Sequence, residues 1–589
     1  MGKKAYKTLI VTGARSKVSS VKEFISARDL LQNTPDYAYA KDRFSWPRMD
    51  NFNWASDYFD TLADKCTHPA LLYVDDAGTE TKVSYRILKE RSNRAANFLR
   101  NQGLRKGDRV LLMMPSCIEL FEIFLGAMKL GCVIIPASTL LTEDDIVDRI
   151  ARGKTRAIVG SPELTNRIDR STRTSSLVKI VVRGKAVGWL GYEGADDVSS
   201  HFKSSNFFYP SDELLIYFTS GTTAKPKLVL QTHSSYPIGH LTTMYWIGVR
   251  RGELHYNISA PGWAKYAYST IFGVLNAEAT SFLYSYSGKF NSNNVLDMIE
   301  RYSVRTLCAP PTVWRLLLLE DLKTRRFALR ELVSAGEPLN PEIIEKIRVG
   351  TGLTIREGFG QTESTLQVGF FPGMEVRPGS MGLEAPGFHI NILDEEQRPV
   401  SVSSEGAMAI QVIPERPVGL MEGYIDPKEK NAAVFVGSWY LTGDLAYRDE
   451  DGYFWFIGRA DDVFKSSDYR ISAFELESEL MAHPAIAEVA VVASPDLMKG
   501  FVPKAYVSLK PNTQPSKELA LDIFKFTRQH TAPYKRPRIV QFVTELPKTV
   551  SGKIRRIELR TSEADRRVKR ERSTEEYFES DFKDAFAGK

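Results

Sequence analysis

Short apolar runs alternate with longer stretches of helical periodicity along much of this 589-residue chain. In its first third the pattern predicts a helix over 85–102, a strand over 109–114, a second helix and a strand over 132–136. The same alternation returns with strands over 305–309 and 332–335. Apolar strands separated by helices are typical of parallel sheets that are covered on both faces. The sequence therefore predicts an α/β fold.

A chain of this length is too long for one hydrophobic core, so we expect two or more domains. Shorter β segments over 388–406 indicate a small β subdomain, and a boundary is predicted near 458–462, before a compact βαβ-like stretch over 474–554. The most apolar segment, 118–135, is interrupted by charges at helical spacing. It is predicted to be an amphipathic core helix followed by a buried strand.

Composition narrows the class of protein. Hydrophobic residues make up 43% and charged residues 25% of the chain, as in an ordinary soluble globular protein. The net charge of +6, from 78 basic and 72 acidic residues, does not indicate nucleic acid. Four cysteines without C-x-x-C spacing indicate neither a disulfide frame nor a zinc site, which fits a reducing compartment.

No apolar run approaches the roughly 20 residues that cross a bilayer, so no transmembrane segment is predicted. The basic, acid-free stretch over 1–22 weakly resembles a transit peptide, and a disordered basic terminus is the alternative. We expect a cytoplasmic protein, or a mitochondrial matrix protein if this stretch is a leader.

The most informative segment is the run YFTSGTTAKPK from Tyr217 to Lys227. Its hydroxyl groups and backbone amides need hydrogen-bond partners, which a polyanion would supply together. Apolar runs over 214–218 and 228–230 predict strands on either side of a hairpin loop. With Lys227 at its base, the loop is a candidate phosphate clamp, although P-loop spacing is absent. A solvated Ser/Thr-rich turn is the alternative.

A second candidate site is the run EGFGQTE over 357–363. Two glycines bracket Phe359, so the backbone could pass close to a flat ligand that stacks on the ring. Thr362 offers a hydroxyl group, and Glu363 offers a hard oxygen ligand for Mg²⁺. An ordinary turn is the alternative.

Two further segments carry candidate ligand-binding side chains. Asp444 follows a Thr-Gly pair and could accept hydrogen bonds from a ribose diol, which Arg459 could help to hold. Lys553 lies on a glycine turn remote in sequence from the phosphate loop, where it could act as a mobile cation. Taken alone, each is better explained as exposed surface.

Together the four segments resemble, in content and order, the adenylate-forming superfamily of acyl-CoA synthetases, firefly-type luciferases and peptide-synthetase adenylation domains. The resemblance covers about residues 58–560 and includes SAGEP over 334–338, GRADD over 458–462 and YRI over 469–471. The runs APPTVWR, GWAK, ERPVG and TAPYKRPR are most similar to the medium-chain acyl-CoA synthetase branch.

The resemblance implies a large N-terminal domain with two stacked mixed or parallel sheets covered by helices, plus a small β subdomain. A small, mobile α+β C-terminal domain follows. The implied segments are an N-terminal extension over 1–50, a large ATP- and acyl-binding domain over 51–459, a hinge over 460–463, a lid domain over 464–560 and a charged tail over 561–589.

The resemblance also implies that ATP, with Mg²⁺, activates a carboxylic acid to acyl-AMP and releases pyrophosphate. A carboxylate is already a nucleophile at neutral pH, so this step needs charge neutralisation and positioning rather than a general base. The implied catalytic residues are Lys553, Thr362 and Glu363, the last of which is also the implied metal ligand. The implied ATP-binding residues are Thr219, Ser220, Gly221, Thr222, Thr223, Ala224, Lys225, Pro226, Lys227, Gly336, Glu337, Pro338, Glu357, Gly358, Phe359, Gly360, Gln361, Thr362, Asp444, Arg459 and Lys553.

In the second half-reaction the resemblance implies that the C-terminal domain rotates about Asp461 and that CoA takes the acyl group. The implied CoA-binding residues are Ser467, Asp468, Tyr469, Lys499, Arg528, Arg536 and Arg538. A solvated basic face is the alternative for the last four. The implied acyl pocket contains Trp263, Leu366, Gln367 and Arg470. Asp468 departs from the family glycine and places a negative charge beside an anionic cofactor.

The leading hypothesis is an acid–thiol ligase, namely an AMP-forming acyl-CoA synthetase for a medium-chain, branched or aromatic acid. One alternative is an adenylating enzyme that hands the acyl group to a carrier-protein thiol or a partner enzyme. A second is a non-catalytic nucleotide-binding protein. We expect the acid, ATP and CoA as small-molecule partners and no nucleic acid, and we leave a homodimer as an open alternative.

Overall fold

A computed structural model describes residues 17–34, 36–172, 176–219, 225–286, 288–466, 469–496, 499–533, 535–549 and 553–586. The chain divides into two compact units. Unit 1 is Met1–His389 with Gln411–Ser438, and unit 2 is Ile390–Ile410 with Trp439–Lys589. Compactness alone does not locate a hinge, so Asp461 and the predicted segment boundaries stay predictions.

The helices account for the predicted helical periodicity, with boundaries within a few residues of those expected. Among the described residues, no helix is long and apolar enough to span a bilayer. Two π-helical segments, Trp54–Phe59 and Ala267–Phe272, adjoin α-helices. The α-helices are α1 Lys17–Asn33, α2 Tyr37–Arg43, α3 Asp60–Ala63, α4 Tyr85–Asn101, α5 Ile118–Leu130, α6 Glu143–Gly153, α7 Pro162–Ser171, α8 Ser235–Ile247, α9 Ala264–Tyr266, α10 Gly273–Asn276, α11 Ser292–Arg301, α12 Pro311–Leu317, α13 Pro341–Thr351, α14 Lys430–Val434, α15 Ala473–Met481, α16 Lys517–His530, α17 Arg556–Lys569 and α18 Lys583–Phe586.

The strands likewise follow the predicted apolar runs. They are β1 Pro69–Asp75, β2 Glu80–Ser84, β3 Arg109–Met113, β4 Val133–Pro136, β5 Thr155–Gly160, β6 Val178–Val181, β7 Leu190–Gly191, β8 Glu213–Thr219, β9 Lys227–Thr232, β10 Leu254–Asn257, β11 Thr280–Ser285, β12 Thr306–Cys308, β13 Glu331–Ala335, β14 Ile355–Gln361, β15 Ser364–Gly369, β16 Ser380–Glu384, β17 Ile390–Leu393, β18 Gly406–Gln411, β19 Gly423–Asp426, β20 Phe435–Val436, β21 Trp439–Arg448, β22 Phe454–Arg459, β23 Val463–Ser466, β24 Tyr469–Ser472, β25 Ile486–Asp496, β26 Gly500–Leu509, β27 Ile539–Phe542 and β28 Glu576–Phe578.

Unit 1 contains two mixed sheets. In the first, the strands run in the order β16-β15-β14-β13-β12-β10-β11-β1-β2. The six from β14 to β1 are parallel, and antiparallel neighbours flank them. The second has the order β19-β9-β8-β4-β3-β5-β6-β7, with parallel pairing from β8 to β7. Helices therefore connect parallel strands, as the alternating pattern predicts.

Helix α5 lies in the interior of unit 1, and its charged residues do not form an exposed face. Glu122 is buried and accepts a hydrogen bond from Arg91. Lys129 is fully buried, pairs with Asp60 at 2.7 Å and donates to Asn93 at 2.8 Å. Burial lowers the pKa of Lys129 to about 8, whereas Asp60 favours its charged form. Helix α5 is therefore a core helix, as predicted, and polar partners inside the fold satisfy its charges.

Unit 2 combines short β-hairpins with an α+β layer. Strands β17 and β18 pair antiparallel, as do β21 and β22. A second sheet has the order β25-β26-β27-β28, and β26 pairs parallel with β27 across the connecting helix α16. This is the predicted βαβ-like stretch. Its core packs Leu476 and Leu480 of α15 and Phe524 of α16 against the sheet.

The segment predicted as a charged tail is part of the folded layer of unit 2. Helix α17 buries Glu563, and β28 pairs with β27. Lys504 of β26 is fully buried and pairs with Glu563 at 2.6 Å and with Glu576 of β28. A buried cation with two buried carboxylates requires all partners, because an unpaired buried charge is costly. The segment 561–586 therefore completes the interior of this unit.

Candidate active site

The predicted phosphate loop joins two paired strands of unit 1. Strand β8 ends at Thr219 and β9 begins at Lys227, and these two residues face each other in an antiparallel register. The flanking strands are as predicted. Ser220, Gly221, Thr222, Thr223 and Ala224 lie outside the described residues. The structure thus fixes the base of the loop.

A compact polar cluster lies at this base. The Nζ atom of Lys227 lies 3.2 Å from Oε1 of Glu363 and donates to the hydroxyl of Tyr424 at 2.8 Å. That hydroxyl donates to the same Glu363 oxygen at 2.8 Å. Lys227 also lies 4.4 Å above the Tyr424 ring, which favours a cation. Two residues predicted from separate motifs are therefore joined by a tyrosine that sequence reasoning missed.

Helix α6 supplies a second anchor for the loop. A capping box of Thr142 and Asp145 fixes its start. Near its end, Arg152 donates to the carbonyl of Pro226 at 2.7 Å and pairs with Asp426 at 2.5 Å. No local sequence pattern marks Arg152, because its partners lie far from it along the chain.

The EGFGQTE run lies mostly in strand β14 rather than in a turn. A Cβ atom on Gly358 would lie 2.5 Å from the Trp246 ring, and one on Gly360 would lie 2.5 Å from the carbonyl oxygen of Thr365. Both glycines are therefore required by packing within the chain. The turn between β14 and the antiparallel strand β15 then places Glu363 beside Lys227.

The two segments predicted to enclose adenine are neighbours in the sheet. Ala335 of β13 lies opposite Gly358 of β14, so Gly336 to Pro338 and the EGFGQTE run meet at adjacent carboxyl ends, where open α/β sheets bind ligands. The amide of Leu339 donates to Glu357 at 3.1 Å. Burial raises the pKa of Glu357 to about 8, so its carboxyl group is mostly protonated at neutral pH.

Lys265 and Gln231 hold the edges of this region. The ammonium of Lys265 donates to the carbonyl of Ala335, and a Cβ on Gly336 would lie 3.3 Å from it. Gln231 donates to the carbonyl of Thr362 at 2.8 Å. Neither had been recognised from sequence, although Lys265 lies in the quoted GWAK run. Of the predicted acyl-pocket residues, Leu366 and Gln367 are buried in β15 and Trp263 precedes α9.

In unit 2 the predicted ribose pair is brought together. Asp444 of β21 lies opposite Arg459 of β22, and Arg459 Nη1 lies 3.0 Å from Asp444 Oδ1. The Asp444 side chain is 3% exposed, and the amide of Asp444 donates to Thr442 at 3.2 Å. Gly443 has φ +77°, and a Cβ there would lie 3.2 Å from the Arg459 guanidinium. A glycine at this position therefore lets the arginine cross the strand.

Lys553 is exposed and closes a short loop of unit 2. Its amide donates to Thr549 Oγ1 at 3.1 Å, and Lys548 and Ile554 form a β-bridge across the loop. Lys499 is also exposed. Ser467 and Asp468 lie outside the described residues, and so do the side chains of Tyr469 and Arg470.

Three of the predicted CoA-binding residues form what we call the arginine cluster, Arg528, Arg536 and Arg538. Glu579 pairs with Arg528 at 2.8 Å and with Arg538. Arg536 donates to the carbonyls of Thr531 and Arg528 at 2.9 and 3.0 Å. Burial and the neighbouring Arg528 charge lower the pKa of Arg536. The cluster thus contains three guanidinium groups and one carboxylate, which pairs with two of them.

Comparisons with known proteins agree with this picture. The profile of the AMP-binding enzyme family matches residues 59–425, and that of the AMP-binding enzyme C-terminal domain matches 475–553. The chain belongs to the AMP-binding enzyme family. The predicted superfamily is therefore confirmed.

Named relatives extend the match to nearly the whole chain. The chain is 43% identical to 4-hydroxybutyrate--CoA ligase 1 of Metallosphaera sedula, over 90% of this chain and 94% of that protein. It is 38% identical to mouse acyl-coenzyme A synthetase ACSM3, mitochondrial, over 90% and 94%. The crystal structure of anthranilate CoA ligase AuaEII with anthranoyl-AMP matches with a TM-score of 0.79 and 27% identity, over 88% and 98%. The predicted fold class, medium-chain branch and acid–thiol ligase class are confirmed.

Proposed function

We propose that this AMP-forming acyl-CoA synthetase works through the residues assembled above. A carboxylate oxygen of the acid bonds to the α-phosphorus of ATP, the bond from that phosphorus to the bridging oxygen breaks, and pyrophosphate leaves. The CoA sulfur then bonds to the acyl carbonyl carbon, AMP leaves, and the thiol proton passes to solvent. The observation that carries the proposal is the cluster of Lys227, Tyr424 and Glu363 at the base of the phosphate loop.

In the first step the loop and Lys227 hold the β- and γ-phosphates, and Lys553 neutralises the charge that builds up at the α-phosphate. Tyr424 keeps Lys227 and Glu363 at a fixed separation. Asp444, held by Arg459, accepts the ribose hydroxyls. Glu357, protonated in its buried site, puts no negative charge beside the nucleotide.

Mg²⁺ fits this site as a partner of the ATP phosphates. Proteins commonly hold Mg²⁺ through one or two carboxylates together with substrate phosphates. Glu363 is the carboxylate that lies beside Lys227, and within the described ranges no group of three or more acidic, His or Cys side chains could hold a metal alone. Bound Mg²⁺ would supply neutralising charge at the phosphate oxygens.

In the second step the arginine cluster would bind the phosphates of CoA. Glu579 balances one of three positive charges, which leaves the cluster suited to an anion of high charge. Asp468 motivates the alternative acceptor, a carrier-protein thiol or partner enzyme. We propose that the acid is a small carboxylic acid, because one relative is named 4-hydroxybutyrate--CoA ligase 1.

The decisive assay measures pyrophosphate release with ATP and a panel of carboxylic acids, followed by detection of the CoA thioester. We expect release to depend on the acid and the thioester to form on adding CoA. Lys553→Ala should abolish release, and Lys548→Ala, in the same loop and paired with Glu488, is the matched control. Release without thioester would instead support the carrier-protein alternative, and unchanged release in Lys553→Ala would refute the mechanism.

We also propose a cytoplasmic location, with the mitochondrial matrix as the alternative. The mitochondrial relative supports the alternative. Imaging the full chain fused to a fluorescent protein, with and without residues 1–22, tests the location. Light scattering of the purified chain tests whether it forms a homodimer.

A further inference from the structure

A buried histidine in unit 1 is enclosed by aromatic rings. His240 of α8 lies 4.3 Å from the Tyr236 ring, nearly perpendicular to it, 5.6 Å from Tyr268 and 6.1 Å from Phe272. We call these three rings the aromatic cage. Tyr236 and Phe272 are buried, whereas Tyr268 is partly exposed. Tyr268 is thus the ring of the cage that is partly open to solvent.

One nitrogen of this histidine lacks a partner. Nδ1 lies 2.9 Å from the hydroxyl of Thr243, whereas Nε2 is buried and has no hydrogen-bond partner in the part of the chain that the structure describes. Burial lowers the pKa of His240 to about 3, so the ring is neutral. Buried polar atoms are rarely left unpaired in folded proteins, and a ligand is one explanation for such an atom.

The cage adjoins the proposed reaction centre. Lys265 holds the carbonyl of Ala335, beside Gly336, and Tyr268 lies only about one helical turn, roughly 5 Å, further along the chain. From the other side, Thr365 follows Glu363 by two residues and packs against Gly239, where a Cβ would lie 2.7 Å from its methyl group. Chain neighbours of the cage therefore contact the segments that we propose to hold the nucleotide.

The chemistry of the cage selects a hydroxyl group. In a neutral imidazole with Nδ1 engaged by a hydroxyl, Nε2 is either a donor or an acceptor, and a hydroxyl group pairs with both. A second carboxylate would have to be desolvated among three aromatic rings, which is costly. A plain alkyl chain would leave Nε2 unpaired. The packed rings of Tyr236 and Phe272 also limit the length of the chain.

We propose that the acid is a short hydroxylated carboxylic acid whose hydroxyl group binds Nε2 of His240 inside the aromatic cage. The proposal rests on the proposed adenylation at the neighbouring site. It makes His240 a specificity-determining residue, because the imidazole distinguishes hydroxylated from unsubstituted acids without contacting the reacting atoms.

The test compares kcat/KM for pyrophosphate release with 4-hydroxybutanoate, 3-hydroxybutanoate and butanoate. We expect the wild-type protein to prefer one of the hydroxylated acids over butanoate by about tenfold or more. His240→Phe should reduce that preference by roughly 10- to 100-fold, mainly by lowering activity with the hydroxylated acid. His240→Gln, which keeps a hydrogen-bonding amide, should retain part of it.

His233→Phe is the matched control, since His233 is another buried histidine with an unpaired ring nitrogen, packed against Phe208 outside the cage. It should leave the preference unchanged. Equal loss of activity with all three acids in His240→Phe would overturn the proposal. A wild-type protein that prefers butanoate would also overturn it, and that comparison holds even if the variant does not fold. If no acid of any class releases pyrophosphate, the proposed adenylation itself fails.

Discussion

The polar cluster of Lys227, Tyr424 and Glu363 in unit 1, here called the phosphate-loop cluster, and the arginine cluster of unit 2 are both proposed to bind phosphates, but they balance charge differently. Lys227 meets one carboxylate, Glu363, through a shared tyrosine hydroxyl. Arg528 and Arg538 share one carboxylate, Glu579, whereas Arg536 donates to backbone carbonyls. A balanced cluster holds its geometry before the ligand arrives, whereas an unbalanced one gains most from a strongly anionic ligand. The first therefore suits positioning for chemistry, and the second suits capture of a charged co-substrate.

The sharpest way to break this comparison is to remove the cation of the balanced cluster. Lys227→Ala should lower acid-dependent pyrophosphate release by about 100-fold or more, because a cation aimed at the phosphates is lost. Lys428→Ala, an exposed lysine of unit 1 with no role in the proposed mechanism, is the control and should change release by only a few fold. Equal effects in the two variants would remove Lys227 from the mechanism.

The unbalanced cluster should respond in KM for CoA rather than in the first half-reaction. Arg536→Ala should raise KM for CoA about tenfold, in line with one lost charge-assisted hydrogen bond, and leave pyrophosphate release unchanged. Glu579→Gln should lower KM for CoA, since it removes the competing carboxylate. Arg572→Ala, whose partner is Asp581, serves as the control. If neither substitution changed KM for CoA, the arginine cluster would be better explained as a solvated basic face.

Removing only the bridging hydroxyl sharpens the account of the balanced cluster. Tyr424→Phe keeps the ring under Lys227 but deletes the bond to Glu363, so we expect a five- to tenfold lower kcat, roughly 1 kcal/mol, with little change in thermal stability. Steady-state kinetics and thermal unfolding measure the two quantities. A large stability loss without a rate effect would mean that the tyrosine only supports the fold.

The last prediction concerns the pH dependence of stability in unit 1, which contains the phosphate-loop cluster. The pKa of Glu357 is raised to about 8 by burial, so the folded state binds a proton that the unfolded state releases above its ordinary value of 4.5. Stability from this group should therefore fall as pH rises from about 5 to 8, by up to about 1 kcal/mol per unit. Glu357→Gln should flatten the slope of the unfolding midpoint against pH. An unchanged slope would contradict the buried, protonated state.

Much of the fold and several site contacts were predictable because they are local or repeat a period. The strands that flank the phosphate loop follow from apolar runs, and the pairing of Asp444 with Arg459 follows from one hairpin. What the sequence did not reveal is long-range. Tyr424 and Arg152 reach the loop through strand order, and no local pattern marks either one.

Two interpretations changed for physical reasons. The glycines of the EGFGQTE run were read as room for a ligand, yet Trp246 and Thr365 of the same chain already fill the space beside them. The charges along α5 predicted an amphipathic core helix, and the structure confirms a core helix but satisfies those charges with partners inside the fold. In both cases the residue type indicates that a close neighbour or a polar partner is needed. Only the packing of the folded chain shows which residue that neighbour is.

The buried triad of Lys504, Glu563 and Glu576 has a practical consequence for anyone who shortens this protein. A chain that stopped at residue 560 would lack both carboxylates that pair with buried Lys504, together with strand β28 that pairs with β27, and removing the partners of a buried charge costs about 3–5 kcal/mol. It would also lose Glu579, the counter-charge of the arginine cluster. The last segment is thus a folding requirement, and it also supplies the carboxylate of the cluster that we propose binds CoA.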